Sequence, residues 1–303
     1  MKKIIIILGP TATHKTQLSL CIAEKFPVEI ISADSMQFYI GMEIGTDKVG
    51  KDIRNKVPHH LIDVVTVQEE FNVSKFKKQA EKVISDIFKR KKVPLIVGGS
   101  GLYIRSITEG FPVEFSAPPD AVLREELNML PFAALRKAAE SIDKDASDKV
   151  SDRKRLIRIV EFFRQTGYKI SSVENQEVRY EFLKIGLTKE RELHYRDIEK
   201  RVEEMFDRSF VEEVQRLRDI YSNWSKTALQ AIGYREVLQY LNETISLKEA
   251  KEEIKKRTRH LAKKQITWFK KENNVHWIDT TDLNGAKEQA EKLVKEFLYE
   301  HSN

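Results

Sequence analysis

Five consecutive apolar residues, Ile4-Ile5-Ile6-Ile7-Leu8, run directly into Gly9-Pro10-Thr11-Ala12-Thr13-His14-Lys15-Thr16, and this junction limits the fold more than any other part of the chain. A β-branched run this short reads as a strand buried on both faces, as in parallel sheets covered by helices. Residues 9–16 nearly complete the pattern G-x-x-x-x-G-K-[ST], in which a strand-to-helix loop turns backbone N–H groups and a helix N-terminus toward phosphate oxygens. Lys15 and Thr16 supply the cation and the Mg²⁺-directed hydroxyl. His14 stands where the pattern has its second glycine, the residue that lets backbone approach a phosphate closely. On these residues alone the segment is either a phosphate cradle or a plain strand–turn–helix with a capping Thr.

The periodicity repeats further on. Short apolar runs at 28–33 and 94–97 predict two more buried strands, and between them Val73, Phe76, Ala80, Val83, Ile84 and Ile87 share one helical face. This alternation predicts an α/β fold, a P-loop three-layer core with a parallel sheet and functional loops at the carboxyl ends of its strands. After Gly110 the prolines 112, 118, 119 and 131 break up the chain, and no strong strand returns until 182–187. The expected organisation is therefore a first core part at 1–113, a helical insertion domain at 114–181, and a mainly helical second core part at 182–303.

Within the insertion Leu156, Ile159, Val160 and Phe163 form an i, i+3, i+4, i+7 stripe, which places Lys154 and Arg158 on the opposite face and Arg155 on the flank; Gly167 ends the helix. Ser246-Leu247-Lys248-Glu249 predicts a capping box opening a long helix toward Lys271. Residues 275–278 read as a last strand and 286–299 as a closing helix.

With 53 Lys and Arg against 47 Asp and Glu, the formal charge is +6, and it is unevenly placed. From Lys248 to Lys271 there are ten Lys and Arg against three acids, Glu249, Glu252 and Glu253, so the C-terminal half of that stretch is strongly positive. Such clustering is the footprint of a polyanionic partner or a solvated helix face. Cys21 is the only cysteine, which excludes an intrachain disulfide framework, and residues 4–8 are too short for a membrane span or a secretory core. The expectation is a soluble, cytoplasmic chain with no membrane partner, in which Cys21 packs as a small apolar group on the helix after the loop.

Asp34-Ser35-Met36-Gln37 comes after the second strand, where a carboxylate serves as general base, as Mg²⁺ ligand, or merely as a turn or N-cap residue. Gly98-Gly99-Ser100-Gly101-Leu102-Tyr103 closes the next strand as a second loop that exposes backbone. With these segments in place the chain resembles the tRNA dimethylallyltransferases, also called tRNA isopentenyltransferases, over nearly its whole length. The likeness continues at Gly41-Met42-Glu43-Ile44-Gly45-Thr46, Val57-Pro58-His59-His60-Leu61-Ile62-Asp63, residues 155–158 with Thr166-Gly167, Ala231-Ile232-Gly233-Tyr234-Arg235, and Thr258-Arg259 through Lys264-Gln265-Ile266-Thr267-Trp268-Phe269.

The resemblance implies transfer of a dimethylallyl group from its diphosphate to the exocyclic N6 of adenosine 37 in the anticodon stem-loop of tRNA. It assigns Asp34, Lys15 and Thr16 to catalysis, with Asp34 accepting the N6 proton. It assigns Gly9, Pro10, Thr11, Ala12, Thr13, His14, Lys15, Thr16 and Arg201 to the diphosphate, and Thr16 to the Mg²⁺ cofactor. For tRNA it implies Asp34, Ser35, Met36, Gln37, Ser100, Arg124, Lys154, Arg155, Leu156, Ile157 and Arg158. The base would be extruded from its stack, phosphate contacts would dominate affinity, and loop bases would supply specificity. The phosphate loop is then explained without nucleotide hydrolysis, although the loop pattern is also one of ATP binding.

Ser100 stands where the family has Thr and keeps the hydroxyl. Arg201 lies where an arginine near the diphosphate is expected, whereas Asp197, beside Arg196, replaces another basic residue. His59, His60 and Asp63 are assigned no metal, because zinc needs further ligands at suitable spacing. Trp268 and Phe269, adjacent on a helix, point to different sides, so at least one belongs to the core. Two readings compete with the transferase: a P-loop nucleotide or small-molecule kinase, and a non-catalytic tRNA-binding paralogue whose loop has decayed at His14. The chain is expected to act as a monomer.

Overall fold

The computed structural model describes residues 1–111 and 119–300, with the side chain of residue 300 left out. The chain divides into two compact units, one of Met1–Thr108 with Arg179–Asn303 and one of Glu109–Val178. The segment boundary expected at 113/114 lies outside the described residues.

In the larger unit, β1 (Lys2–Leu8) leads to α1 (Lys15–Lys25), β2 (Val28–Ser32), α2 (Lys51–Lys56), β3 (His59–His60), α3 (Val73–Lys89), β4 (Val93–Gly98) and α4 (Gly101–Thr108). The smaller unit holds α5 (Ala121–Met129), α6 (Phe132–Ile142), α7 (Lys144–Asp148) and α8 (Arg153–Thr166). The larger unit then resumes with β5 (Tyr180–Thr188), α9 (Arg191–Asp207), α10 (Phe210–Ile220), α11 (Tyr234–Leu241), α12 (Leu247–Phe269), β6 (Val275–Asp279) and α13 (Leu283–Lys295).

The six strands form one parallel sheet in the order β3-β2-β4-β1-β5-β6. Side chains alternate across a strand, so β1 sends Ile4, Ile6 and Leu8 to one core and Ile5 and Ile7 to the other. All five are wholly buried, which is why this strand reads as an unbroken apolar run rather than an alternating one. Helix α3 starts where Asn72 accepts the Lys75 N–H at 3.0 Å, and it lays Phe76, Ala80, Ile84 and Ile87 on the first core. Helix α12 opens on the expected capping box: Ser246 Oγ accepts the Glu249 N–H at 3.2 Å, and Glu249 Oε2 accepts the Ser246 N–H at 2.7 Å. The final strand extends to Asp279, and the closing helix begins at Leu283, three residues earlier than expected.

The smaller unit has its own core, built from Leu123, Leu127, Leu135, Ala139, Leu156, Ile157, Ile159 and Val160. Helix α8 is capped by Asp152, and it ends, as its sequence predicts, at Gly167 in the left-handed conformation (φ 74°). Its buried arc is wider than the expected stripe. It takes in Ile157, Glu161 and Phe162, while Phe163 is only partly buried. The cause is Glu161, whose fully buried carboxylate accepts two hydrogen bonds from Arg124, at 2.7 and 2.8 Å, one from the Asp120 N–H at 2.8 Å and one from Arg158 at 2.9 Å. Burial alone would raise the Glu161 pKa, but Arg124, the Asp120 N–H and Arg158 outweigh it and hold the carboxyl below the usual range. Arg158 therefore sits at the border of the core rather than opposite it.

Candidate active site

The chain leaves β1 toward β2 on one side of the sheet and leaves β4 toward β5 on the other, so the connections diverge between two neighbouring strands. Open α/β sheets form their ligand crevice at such a point, outside the carboxyl ends of the strands. Three loops meet there: 9–14 after β1, 33–37 after β2 and 99–100 after β4. Their closeness depends on Gly98, where a Cβ would come within 2.2 Å of the Ala33 carbonyl oxygen. Ser100 ties two of them together, donating its N–H to the Ala33 carbonyl at 3.2 Å and accepting the Ser35 N–H on its hydroxyl at 3.1 Å.

The phosphate-loop backbone takes the form its glycine pattern calls for, although only one glycine is present. Ala12 (φ 57°) and His14 (φ 59°) are both left-handed, and His14 is the residue before α1. Thr13 does not cap that helix. Its buried hydroxyl donates instead to the Pro10 carbonyl at 2.8 Å, closing the loop on itself. Lys15 Nζ donates to the same carbonyl at 2.6 Å. Burial lowers the Lys15 pKa to about 8; the Asp34 carboxylate pulls it up and the Arg201 guanidinium pushes it down. Asp34 and Arg201 thus both act on the ammonium of the loop.

Thr11 is held from three directions. Its N–H donates to Gln265 Oε1 at 2.9 Å, its carbonyl accepts from His194 Nε2 at 2.8 Å, and its hydroxyl accepts from Arg201 at 2.8 Å. Because a carbonyl only accepts, His194 carries its proton on Nε2, and burial lowers its pKa toward the neutral form. Gln265 also donates to the Gly99 carbonyl at 3.0 Å, so one side chain of α12 joins the loops after β1 and β4. His194 carries no site signal in the sequence, and Gln265 lies in a family motif without an assigned role; both are recognised through their contacts with Thr11.

Asp34 forms an Asx turn, its Oδ1 accepting the Met36 N–H at 2.9 Å. Gln37 is fixed at both ends of its amide, accepting from Ser32 Oγ at 2.9 Å and donating to the Thr46 carbonyl at 3.2 Å. Met36 packs against the core. Behind these residues the loop at 41–46 is shaped by Glu213 of α10, an element without a sequence signal. Its buried carboxylate accepts the N–H groups of Glu43, Ile44 and Gly45 at 3.1, 2.8 and 3.4 Å and the Tyr234 hydroxyl at 2.7 Å. Two sequence motifs far apart in the chain thereby become one wall.

Two of the three positions at which the sequence leaves the expected pattern, His14 and Asp197, lie 3.7 Å apart. The other singled-out residues have structural partners. His60 pairs with Glu29 at 2.7 Å, His59 bonds the Val57 carbonyl at 2.7 Å, and Asp63 pairs with Lys48 and Arg54. Phe269 is core and Trp268 is partly buried under Arg105, 5.6 Å from its ring centre. Cys21 is on α1 but is not a purely apolar filler, since it donates to Glu291 at 3.1 Å, and burial raises its thiol pKa.

On the smaller unit Lys154 and Arg155 are exposed, with Arg155 paired at 3.3 Å to Asp152. Leu156 and Ile157 are core residues, so they shape α8 and offer no side chain at the surface. On α12 the first turns of cations are paired, for instance Lys255 with Glu203 at 2.7 Å and Arg259 with Glu199 at 2.6 Å. Lys263, Lys264, Lys270 and Lys271 are exposed and have no ion-pair partner among the described residues. No described helix is long and apolar enough to cross a membrane.

A model of the IPP transferase family matches residues 37–272. A tRNA dimethylallyltransferase of Dictyoglomus turgidum is 41% identical over 297 residues, covering 95% of this chain and 90% of the relative. Its counterpart in Finegoldia magna is 40% identical over 313 residues, covering 99% of each. Among solved structures, the full-length tRNA isopentenylpyrophosphate transferase of Bacillus halodurans superposes with a TM-score of 0.75 at 34% identity, covering 99% of this chain and 98% of that one. A eukaryotic dimethylallyltransferase acting on tRNA superposes with a TM-score of 0.86 at 27% identity, covering 99% of this chain and 80% of that one. The crevice at the carboxyl ends of β1, β2 and β4 therefore lies in a chain that belongs to the IPP transferase family.

Proposed function

We propose that this chain is a tRNA dimethylallyltransferase that moves a dimethylallyl group from dimethylallyl diphosphate to N6 of adenosine 37 in the anticodon loop, working as a cytoplasmic monomer. The observation that carries the reading is the convergence, in a chain of this family, of the phosphate loop that carries Lys15 and is held by Arg201 through Thr11 with the Asp34 loop that Ser100 ties to the end of β4. The N6 lone pair forms a bond to the allylic C1, the C1–O bond breaks with its electron pair going to the diphosphate, and the N6 proton passes to Asp34. The Asx turn holds that carboxylate in place, and Lys15, Arg201 and the loop N–H groups stabilise the charge on the leaving diphosphate.

The site fits a Mg²⁺ shared with the diphosphate. Among the described residues no cluster of three or more His, Cys, Asp or Glu would hold an ion unaided. The Thr16 hydroxyl is without a protein partner among them. A small hard cation that keeps phosphate and water ligands suits that donor set, and it would supply charge neutralisation to the leaving group. The exposed cations of α8 and of the C-terminal half of α12 offer contacts for the tRNA backbone, and Met36 with Gln37 supports the extruded base.

Labelled dimethylallyl diphosphate, Mg²⁺ and unmodified bulk tRNA, incubated with the protein and digested to nucleosides, should give isopentenyladenosine. Transfer of label from a labelled nucleoside triphosphate in a parallel reaction, with no isopentenyladenosine formed in the first, would favour the kinase reading. Binding of tRNA without product would favour the non-catalytic paralogue.

A further inference from the structure

His14 is the single break in the phosphate-loop pattern, and its backbone is held at φ 59° where the pattern relies on glycine. For a residue with a Cβ this conformation is strained, so something must hold it. The side chain shows what does. Nδ1 lies 2.6 Å from Gln17 Oε1 on α1, and Nε2 lies 3.2 Å from Lys189 Nζ, the residue directly after β5. An ammonium has no lone pair, so Nε2 accepts from Lys189 and Nδ1 donates to Gln17. Lys189 also bonds the Asp197 carboxylate of α9, which itself lies 3.7 Å from Nε2. Lys189 has a nearly buried side chain, 9% exposed. Both ring nitrogens are thus engaged by protein groups, and the imidazole bridges three elements around the loop.

We infer that His14, Lys189 and Asp197 act together as a positioning clasp. The clasp holds the left-handed turn before α1, so that the N–H groups at the start of that helix keep facing the leaving diphosphate without the glycine. This inference rests on the diphosphate-transfer reading above. His14 is a positioning residue, and its effect is expected on diphosphate affinity rather than on the bond-breaking step.

The variants separate backbone strain from the clasp. His14→Asn tolerates the left-handed conformation and replaces the Nδ1 contact, but it is too short to reach Lys189. His14→Gln restores an acceptor near the Nε2 position. The expected result is that His14→Asn raises KM for dimethylallyl diphosphate about tenfold, the scale of one hydrogen bond to a charged group, with kcat within about twofold. His14→Gln should recover most of the loss. Lys189→Met should raise KM to the same extent, and His14→Asn with Lys189→Met should be no worse than either alone.

Isothermal titration with inorganic diphosphate should rank the variants in the same order, and thermal melts identify any variant that fails to fold, in which case His14→Gln against wild type carries the test. Wild-type affinity in His14→Asn, or effects of the two substitutions that add, would overturn the clasp while leaving the transferase reading intact. A wild-type protein that neither binds diphosphate nor prenylates tRNA would overturn that reading and the clasp with it.

Discussion

Replacing Gln265 should damage diphosphate binding through the two loops that its side chain joins. Its amide accepts the Thr11 N–H at 2.9 Å and donates to the Gly99 carbonyl at 3.0 Å, so truncation leaves one donor and one acceptor without their partner. A buried polar group left unpaired costs about 1–3 kcal/mol. Thr11 is partly exposed and water can reach its N–H, whereas Gly99 is buried, so most of the cost falls on the carbonyl. Gln265→Ala is therefore expected to cost about 1–3 kcal/mol, divided between global stability and the geometry of the loop.

If about half appears in the loop, KM for dimethylallyl diphosphate rises by a factor between about 2 and about 13, with kcat nearly unchanged. Gln265→Glu should be worse than Ala. It removes the donor to Gly99 and sets a negative charge beside both a carbonyl and the anion site. Thermal unfolding, diphosphate titration and steady-state kinetics on the two variants check this together. Wild-type melting and wild-type KM in Gln265→Ala would refute the claim that this side chain joins the two loops.

Asp34→Asn should lower the single-turnover rate by roughly 10²–10⁴-fold, the range of a positioned general base, while tRNA affinity stays within a few-fold. The Lys15 pKa of about 8 predicts a falling limb of kcat/KM as pH rises through about 8, because the free loop loses its cation. Lys15→Arg, which stays charged, should remove that limb from a pH profile even if its maximum is lower. Lys154→Ala with Arg155→Ala should reduce the slope of log K against log salt by up to about two for tRNA binding, measured by filter binding at several salt concentrations. Arg158 is left out of that variant because it supports the buried Glu161.

The sequence is most readable where a local pattern meets a local cause. The run of isoleucines in β1, the capping box of α12 and the glycine stop of α8 at Gly167 depend on residues close together in the chain, and each element forms where its pattern predicts. The candidate site residues Lys15, Thr16 and Asp34 are readable for the same reason, standing just after recognisable strands. Legibility fails where partners are distant. Thr11 is held by His194, Arg201 and Gln265 from the far half of the chain, and the loop at 41–46 by Glu213. A buried carboxylate on an amphipathic helix has the same sequence appearance as an exposed one. Glu161 shows this within α8: periodicity predicts an apolar stripe there, and only the fold reveals that two arginines and an amide draw a carboxylate into the core.

Transfer to adenosine 37 is measured on an isolated anticodon stem-loop RNA bearing a single adenosine, at position 37, incubated with the wild-type protein, dimethylallyl diphosphate and Mg²⁺ and then fragmented for mass spectrometry. The expected result is the gain of one C5H8 unit on that adenosine, the release of one diphosphate for each unit gained, and no gain when position 37 is guanosine. A gain on another nucleotide, or no gain despite bound RNA and bound diphosphate, would contradict it.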